Sequence, residues 1–247
     1  GGGRRGAPSR GRDQQTGLSI SLEEAAAGID KELHLRKEEV CEKCSGSGAR
    51  PGTSPETCRT CGGRGHVAHS ASFFSISATC SACGGTGRVI RDKCEDCHGS
   101  GRVMADKVYK VRIPAGIDSG NSIKVKGAGG PGPGGAPAGD LYVVIDVGEH
   151  ERFRREGDDL VMEMELDVPD AVLGCTRTVK DILNDEVRIS IPAGSQPDEL
   201  IQVHGKGMPR LQANGRGDLW VQARIKIPMS VSRAQKKLYE QLRDLKG

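Results

Sequence analysis

Eight of the nine cysteines fall into four copies of one octapeptide, C-x-x-C-x-G-x-G: Cys41 to Gly48, Cys58 to Gly65, Cys80 to Gly87 and Cys94 to Gly101. A C-x-x-C turn supplies two thiolates from one tight bend, and a structural zinc takes four ligands in a tetrahedron. Four such turns therefore supply two complete four-cysteine sites. The glycines have a matching role, because a chain folding round a metal needs residues that adopt φ > 0 and leave N–H groups free to point at sulfur. Disulfides would suit a small secreted framework. The amino terminus, however, carries no apolar signal segment, and no run is long enough to cross a membrane. A thioredoxin-type redox pair sits in a βαβ context, whereas these pairs sit in Gly-rich hairpin sequence. Two zinc ions per chain and a reducing compartment are expected.

At 247 residues, two or three compact units are expected. The net charge of +3, from 36 basic and 33 acidic residues, is too mild to argue for nucleic acid or an anionic membrane. Aromatics at 3% also leave little for stacking on single-stranded nucleic acid. GAGGPG at Gly127 to Gly132 formally satisfies G-x-G-x-x-G, but the PGGAPAG that follows cannot open the phosphate-binding helix, so it is a loop. No Walker A sequence and no Ser/His/Asp set stands out, and no enzyme activity is expected. Residues 1–16, Gly/Arg-rich with almost no apolar content, read as a flexible linker, and a chain starting in a linker reads as a fragment.

An internal repeat is hidden by the cysteine block. IPAG at Ile113 recurs at Ile191, IKVKG at Ile123 matches IQVHG at Ile201, and GDLYV at Gly139 matches GDLWV at Gly217, all 78 residues apart. Upstream of the cysteines the offset becomes 146, from SISLEEAAAG ending at Gly28 to ELDVPDAVLG ending at Gly174. The four motifs are thus an insertion into the first of two homologous domains. Short runs of period two, such as KVYKVRI, DLYVVIDV, LVMEMELDV, EVRISI and DLWVQARIKI, read as half-buried strands. Gly and Pro interrupt them as in a small β-sandwich. Short helical turns are expected at Leu22 to Gly28 and Pro169 to Gly174, each ended by an αL glycine. One longer helix is C-terminal: Ser232 and Gln235 form a capping box, and Leu238, Leu242 and Leu245 follow at i, i+4 and i+7.

The four motifs in a duplicated β-domain, with IPAG before IKVKG, GDLYV, FRREGDDL (Phe153 to Leu160) and GKGMP (Gly205 to Pro209), resemble the C-terminal part of a zinc-containing DnaJ-type co-chaperone. The resemblance covers nearly the whole chain from about Leu18. It implies a mainly β fold of two homologous small β-sandwich domains in tandem, a Cys-rich zinc module in the first, and a C-terminal helix that dimerises. The boundaries are a linker at 1–16, β-domain I at 17–40 and 105–150, the zinc module at 41–104, β-domain II at 151–230 and the helix at 231–247. Spacing alone leaves all three pairings of the cysteine motifs open. The resemblance implies a nested one, with Cys41, Cys44, Cys94 and Cys97 on one zinc and Cys58, Cys61, Cys80 and Cys83 on the other. None of the six histidines precedes a proline, so the His-Pro-Asp turn by which the family's J domain acts on its ATPase is absent. The chain resembles the client-binding half.

The expected client surface is the strand KELHLRKEEV, with Leu33 and Leu35 on one face and Lys, His and Arg on the other. A returning strand with Val108, Tyr109 and Val111 should lie beside it, and Tyr109 is a further client candidate. Read from pattern alone, these leucines fill a core; the resemblance makes them a groove. His98 sits beside a complete ligand set, His66 and His69 read as solvated loop residues, and Cys175 reads as a small buried core residue. The expected function is capture of unfolded polypeptides without ATP and, in a longer protein, their delivery to a DnaK-type ATPase. The expected setting is the cytoplasm, or an organelle stroma or matrix, as a homodimer with no membrane or specific nucleic-acid partner. The alternative is a zinc-thiolate thiol–disulfide oxidoreductase. It is disfavoured because no C-x-x-C pair sits at a helix N-terminus that would depress a thiol pKa.

Overall fold

The computed structural model describes residues 10–71 and 74–245. Residues 1–9 of the expected linker, and the side chain of His69, lie outside the described residues. The chain is mainly β and divides into two compact units: residues up to Leu18 with Lys31–Val111 and Ser122–Val144, and Ser19–Asp30 with Arg112–Asn121 and Ile145 onward. This boundary differs from the one expected. The IPAG turn of the first repeat groups with the second repeat, where the Arg155 guanidinium donates to the Ile117 and Gly116 carbonyls at 2.6 and 2.9 Å.

The first repeat runs β1 (Gln14–Ile20), α1 (Leu22–Ala27) and β2 (Ile29–Val40). The insert then forms the short strands β3 (Glu56–Thr57), β4 (His66–Ala71), β5 (Phe74–Thr79) and β6 (Arg88–Val89). The repeat resumes with β7 (Arg102–Ile113), β8 (Ser122–Val125) and β9 (Leu141–Val147). The second repeat is β10 (Phe153–Glu156), β11 (Asp159–Asp167), α2 (Val168–Leu173), β12 (Cys175–Lys180), β13 (Glu186–Ile191), β14 (Leu200–Val203) and β15 (Leu219–Lys226), followed by α3 (Arg233–Asp244).

The sheet orders are β1-β9-β8 with a β2-β7 ribbon, and β10-β11-β15-β14 with a β12-β13 ribbon. Placed side by side at the two offsets, they are one pattern apart from β10, which has no counterpart in the first among the described residues. The N–H of Gln14 donates to Asp140 O at 2.8 Å as that of Leu160 donates to Asp218 O at 2.9 Å. The N–H of Asp140 donates to the Asp13 carboxylate as that of Asp218 does to Asp159, both at 2.7 Å. Alternation decides what is buried: Leu141 and Val143 in β9, and Leu219, Val221 and Ala223 in β15, all face inward. The pairing of β11 with β15 is parallel, which period-two patterning cannot reveal, because it records faces and not directions.

Two local expectations need correction. The linker reading extends to Thr16, yet β1 starts at Gln14, and the residues before it are pinned. Arg10 pairs with Asp140, and the Gly11 N–H donates to Pro137 O at 2.8 Å. Gly11 is there for close approach, since a Cβ would lie 2.0 Å from Gly130 O. Gly28 and Gly174 do end α1 and α2, but with φ/ψ of 71/143° and 77/154°, outside the αL region. They make room for the IPAG turns: a Cβ on Gly28 would meet Ala115 N at 2.9 Å, and one on Gly174 would meet Ala193 N at 3.0 Å.

Candidate metal centres and the β1 cleft

The four octapeptides assemble in two pairs. Cys41, Cys44, Cys94 and Cys97 bring their Sγ atoms within 4.8 Å of one another, and so do Cys58, Cys61, Cys80 and Cys83. Within each cluster the motifs grip each other through backbone groups. The N–H of Cys41 donates to Gly101 O and that of Cys94 to Gly48 O; the N–H of Cys58 donates to Gly87 O and that of Cys80 to Gly65 O, all at 2.9 Å. These four glycines have φ between 73 and 77°, and a Cβ on any of them would lie 2.4 Å from a carbonyl oxygen of the partner motif. The last glycine of the motif is thus required by the pairing of motifs.

The donor set fits a tetrahedral ion. Four sulfurs about 2.3 Å from a central zinc lie about 3.8 Å apart, and Sγ–Sγ distances across the motifs are 3.8 and 3.7 Å in one cluster and 3.9 and 3.8 Å in the other. The N–H groups of Gly48, Gly65, Gly87 and Gly101 each point at a cysteine sulfur at 3.3 Å. The N–H of Cys61 helps to hold the Cys58 thiol down to about 6. Against the effect of burial, the N–H groups of Gly99 and Gly101 bring Cys97 to about 7. Burial, followed by the neighbouring thiols, pushes Cys80 up to about 11. Four sulfurs so close together can all be thiolates only with a cation between them. A bound ion would supply a cross-link between two motifs that lack a hydrophobic core of their own. His98 is no part of either cluster; it holds φ 52° at the fifth motif position, as Ser45 does at 50°.

The client candidates separate. Leu33 is 8% exposed and belongs to the core. Leu35 is half-buried and lines an open cleft of about 810 Å³, together with Gln14, Thr16, Met104 and the loop at Gly130 and Pro131. Tyr109 is half-buried on β7, which pairs with β2 as expected. The basic residues of β2 also need correction, since alternation puts Lys37 on the leucine face and not with His34 and Arg36. Lys37 is buried, with Nζ donating to Ala128 O and Gly129 O at 2.7 Å, 3.0 Å from the Glu39 carboxylate and 5.4 Å from the centre of the Tyr109 ring. Burial works against its charge, but Tyr109 and Glu39 more than offset this and raise its pKa. The sequence signal was the odd-numbered register itself. Cys175 is half-buried, less enclosed than expected. In α3 the capping box forms, and Leu238, Leu242 and Leu245 are 61, 62 and 72% exposed, with nothing in the helix buried.

The family model described as the DnaJ C terminal domain matches residues 14–228. The chain belongs to that family. Relatives that bear the name chaperone protein DnaJ include those of three bacteria. That of Hyphomonas neptunium is 41% identical over 248 residues, covering 100% of this chain and 64% of that protein. That of Maridesulfovibrio salexigens is 42% identical, covering 99% and 66%, and that of Brevibacillus choshinensis is 43% identical, covering 100% and 68%. The chain therefore spans about two thirds of the length of these family members. Among the described residues, no helix is long and apolar enough to cross a membrane.

Proposed function

We propose that this chain is the client-binding region of a cytoplasmic DnaJ-type co-chaperone, that it captures non-native polypeptides without ATP, and that a longer protein containing it passes them to a DnaK-type ATPase. Membership of the DnaJ C-terminal domain family carries the reading, and the open cleft beside Leu35 supports it. Two zinc ions hold the insert in shape, one on Cys41, Cys44, Cys94 and Cys97 and the other on Cys58, Cys61, Cys80 and Cys83. The exposed leucines of α3 join two copies. The oxidoreductase alternative gains no support from the geometry, since each thiol pair faces the pair of another motif across a tetrahedron. The test is suppression of aggregation of a chemically denatured model protein at near-stoichiometric ratio without ATP. Leu35→Ser should weaken suppression and leave the melting temperature nearly unchanged, whereas Leu33→Ser should lower the melting temperature, because a fully buried leucine is worth roughly 2–3 kcal/mol. Unimpaired suppression by Leu35→Ser would remove the cleft from the reading.

A further inference from the structure

The two repeats differ at one sheet edge. In the second, β10 pairs antiparallel with β11, Arg155 opposite Leu160 and Arg154 opposite Val161. At the offset of 146, Leu160 and Val161 correspond to Gln14 and Gln15 of β1. There β1 is the outer strand of its sheet, with no counterpart of β10 among the described residues. An uncovered edge presents unpaired N–H and C=O groups to an incoming strand. Gln14 and Gln15 also line the cleft of about 810 Å³, and Gln14 Oε1 is a buried acceptor to which nothing donates among the described residues.

Most of the charge around this edge is paired, and what is left over is cationic. Five cationic side chains line the cleft, Arg10, Arg12, Arg36, Lys37 and Arg102, against one carboxylate, Glu38. Arg10 is paired with Asp140 and Lys37 with Glu39, and Arg102 faces Glu38 at 3.3 Å. Arg12 and Arg36 are exposed and have no carboxylate partner among the described residues. These two arginines are therefore the cationic surplus at this edge.

We propose that the cleft selects extended polypeptide segments bearing acidic residues, with carboxylates meeting Arg12 and Arg36 and the segment's backbone lying along β1 as β10 lies along β11. This rests on the client-capture reading and adds to it the chemical class of the preferred client. Alternation fits the occupant: a strand presents one set of side chains to Leu35 and Met104 and the other to the arginines.

The experiment uses three fluorescent decapeptides, alternating Leu with Glu, Gln or Lys, titrated into the intact chain and followed by anisotropy. Exposed ion pairs contribute modestly each, so the Glu peptide should bind about tenfold more tightly than the Gln peptide at low salt and lose that advantage at 1 M salt, where the Debye length is about 3 Å. The double variant Arg12→Glu/Arg36→Glu should favour the Lys peptide and bind the Gln peptide as before, with an unchanged melting temperature. Equal binding of the Glu and Gln peptides, or an unaltered preference in the double variant, would overturn the acidic selectivity while leaving client capture intact. Absence of both peptide binding and aggregation suppression would instead remove the underlying reading. Displacement of the Glu peptide by a single-stranded oligonucleotide as readily as by itself would overturn the commitment to a polypeptide. Strong hydrogen-exchange protection of Gln15 and Thr16 without added peptide would assign the edge to the chain's own amino-terminal residues.

Discussion

Gly84 and Gly87 lie three residues apart in the third cysteine motif and should respond very differently to the same methyl group. Gly84 has φ 59°, and a Cβ there would meet nothing within 4 Å; Gly87 has φ 73°, and its Cβ would lie 2.4 Å from Gly63 O. For Gly84→Ala the only cost is the left-handed backbone, about 1 kcal/mol. The chain already bears that cost with Ser45 and His98 at the equivalent positions, at φ 50 and 52°. For Gly87→Ala, the same backbone penalty is joined by displacement of the Gly63 carbonyl and strain on the Cys58 N–H bond that Gly87 O accepts. Forcing backbone apart in a packed site adds about 1–3 kcal/mol, giving about 3 kcal/mol in all. Metal binding and folding are one equilibrium in such a module, so the loss should be seen as weaker metal affinity, at about tenfold per 1.4 kcal/mol. Competition against a colorimetric chelator should therefore show less than a tenfold loss for Gly84→Ala and on the order of a hundredfold for Gly87→Ala. That loss should fall on one of the two ions only. Equal losses in the two variants would refute the argument that close approach of paired motifs, rather than backbone freedom alone, dictates the last glycine.

Four further outcomes follow from the same structure. Asp140 has a buried side chain held by Lys124 and Arg10 and accepting from the Gly127 N–H, which together depress its pKa well below the usual carboxylate range. Because the folded value is lowered, its stabilisation is complete above about pH 3.9 and is lost as pH falls from there toward the folded value. Denaturant unfolding of Asp140→Asn should accordingly be flatter than wild type below pH 4, and parallel curves would refute this. Lys37→Met strips two carbonyls of their donor and Glu39 of its cation; at about 1–3 kcal/mol per unsatisfied group, its melting temperature should fall by many degrees. Leu238→Ser/Leu242→Ser should halve the mass seen by light scattering while leaving the melting of the β repeats unchanged, and an unaltered mass would exclude α3 as the dimer contact. Removal of metal by chelator should abolish hydrogen-exchange protection through residues 41–104 while amides of β9 and β15 stay protected.

Much of this protein was legible without coordinates because its governing interactions are local. A C-x-x-C turn places two ligands within four residues, so four copies determined that two tetrahedra could form. Ser232 and Gln235 marked the start of α3 because a capping box is closed within one turn, and the residue count between two IPAG turns disclosed the duplication. Period two identified β7, β9, β11, β13 and β15 because burial alternates along each of them, except at Leu160, Val161 and Met162 of β11, which are all buried. Only the tertiary structure decided the rest. Which motif clusters with which depends on the bonds from Cys41 to Gly101 and from Cys94 to Gly48, between stretches of chain that spacing leaves free. Leu33 and Leu35 carry the same pattern, yet one is core and the other lines the cleft, since what covers a strand's face belongs to other elements. Lys37 looks solvent-facing by composition, and its burial rests on the carbonyls of Ala128 and Gly129, some ninety residues away. The exposed edge of β1, covered in the second repeat by β10, appears only when strand neighbours are known, because hydrogen bonding between strands is set by long-range register and leaves no trace in either strand's own residues.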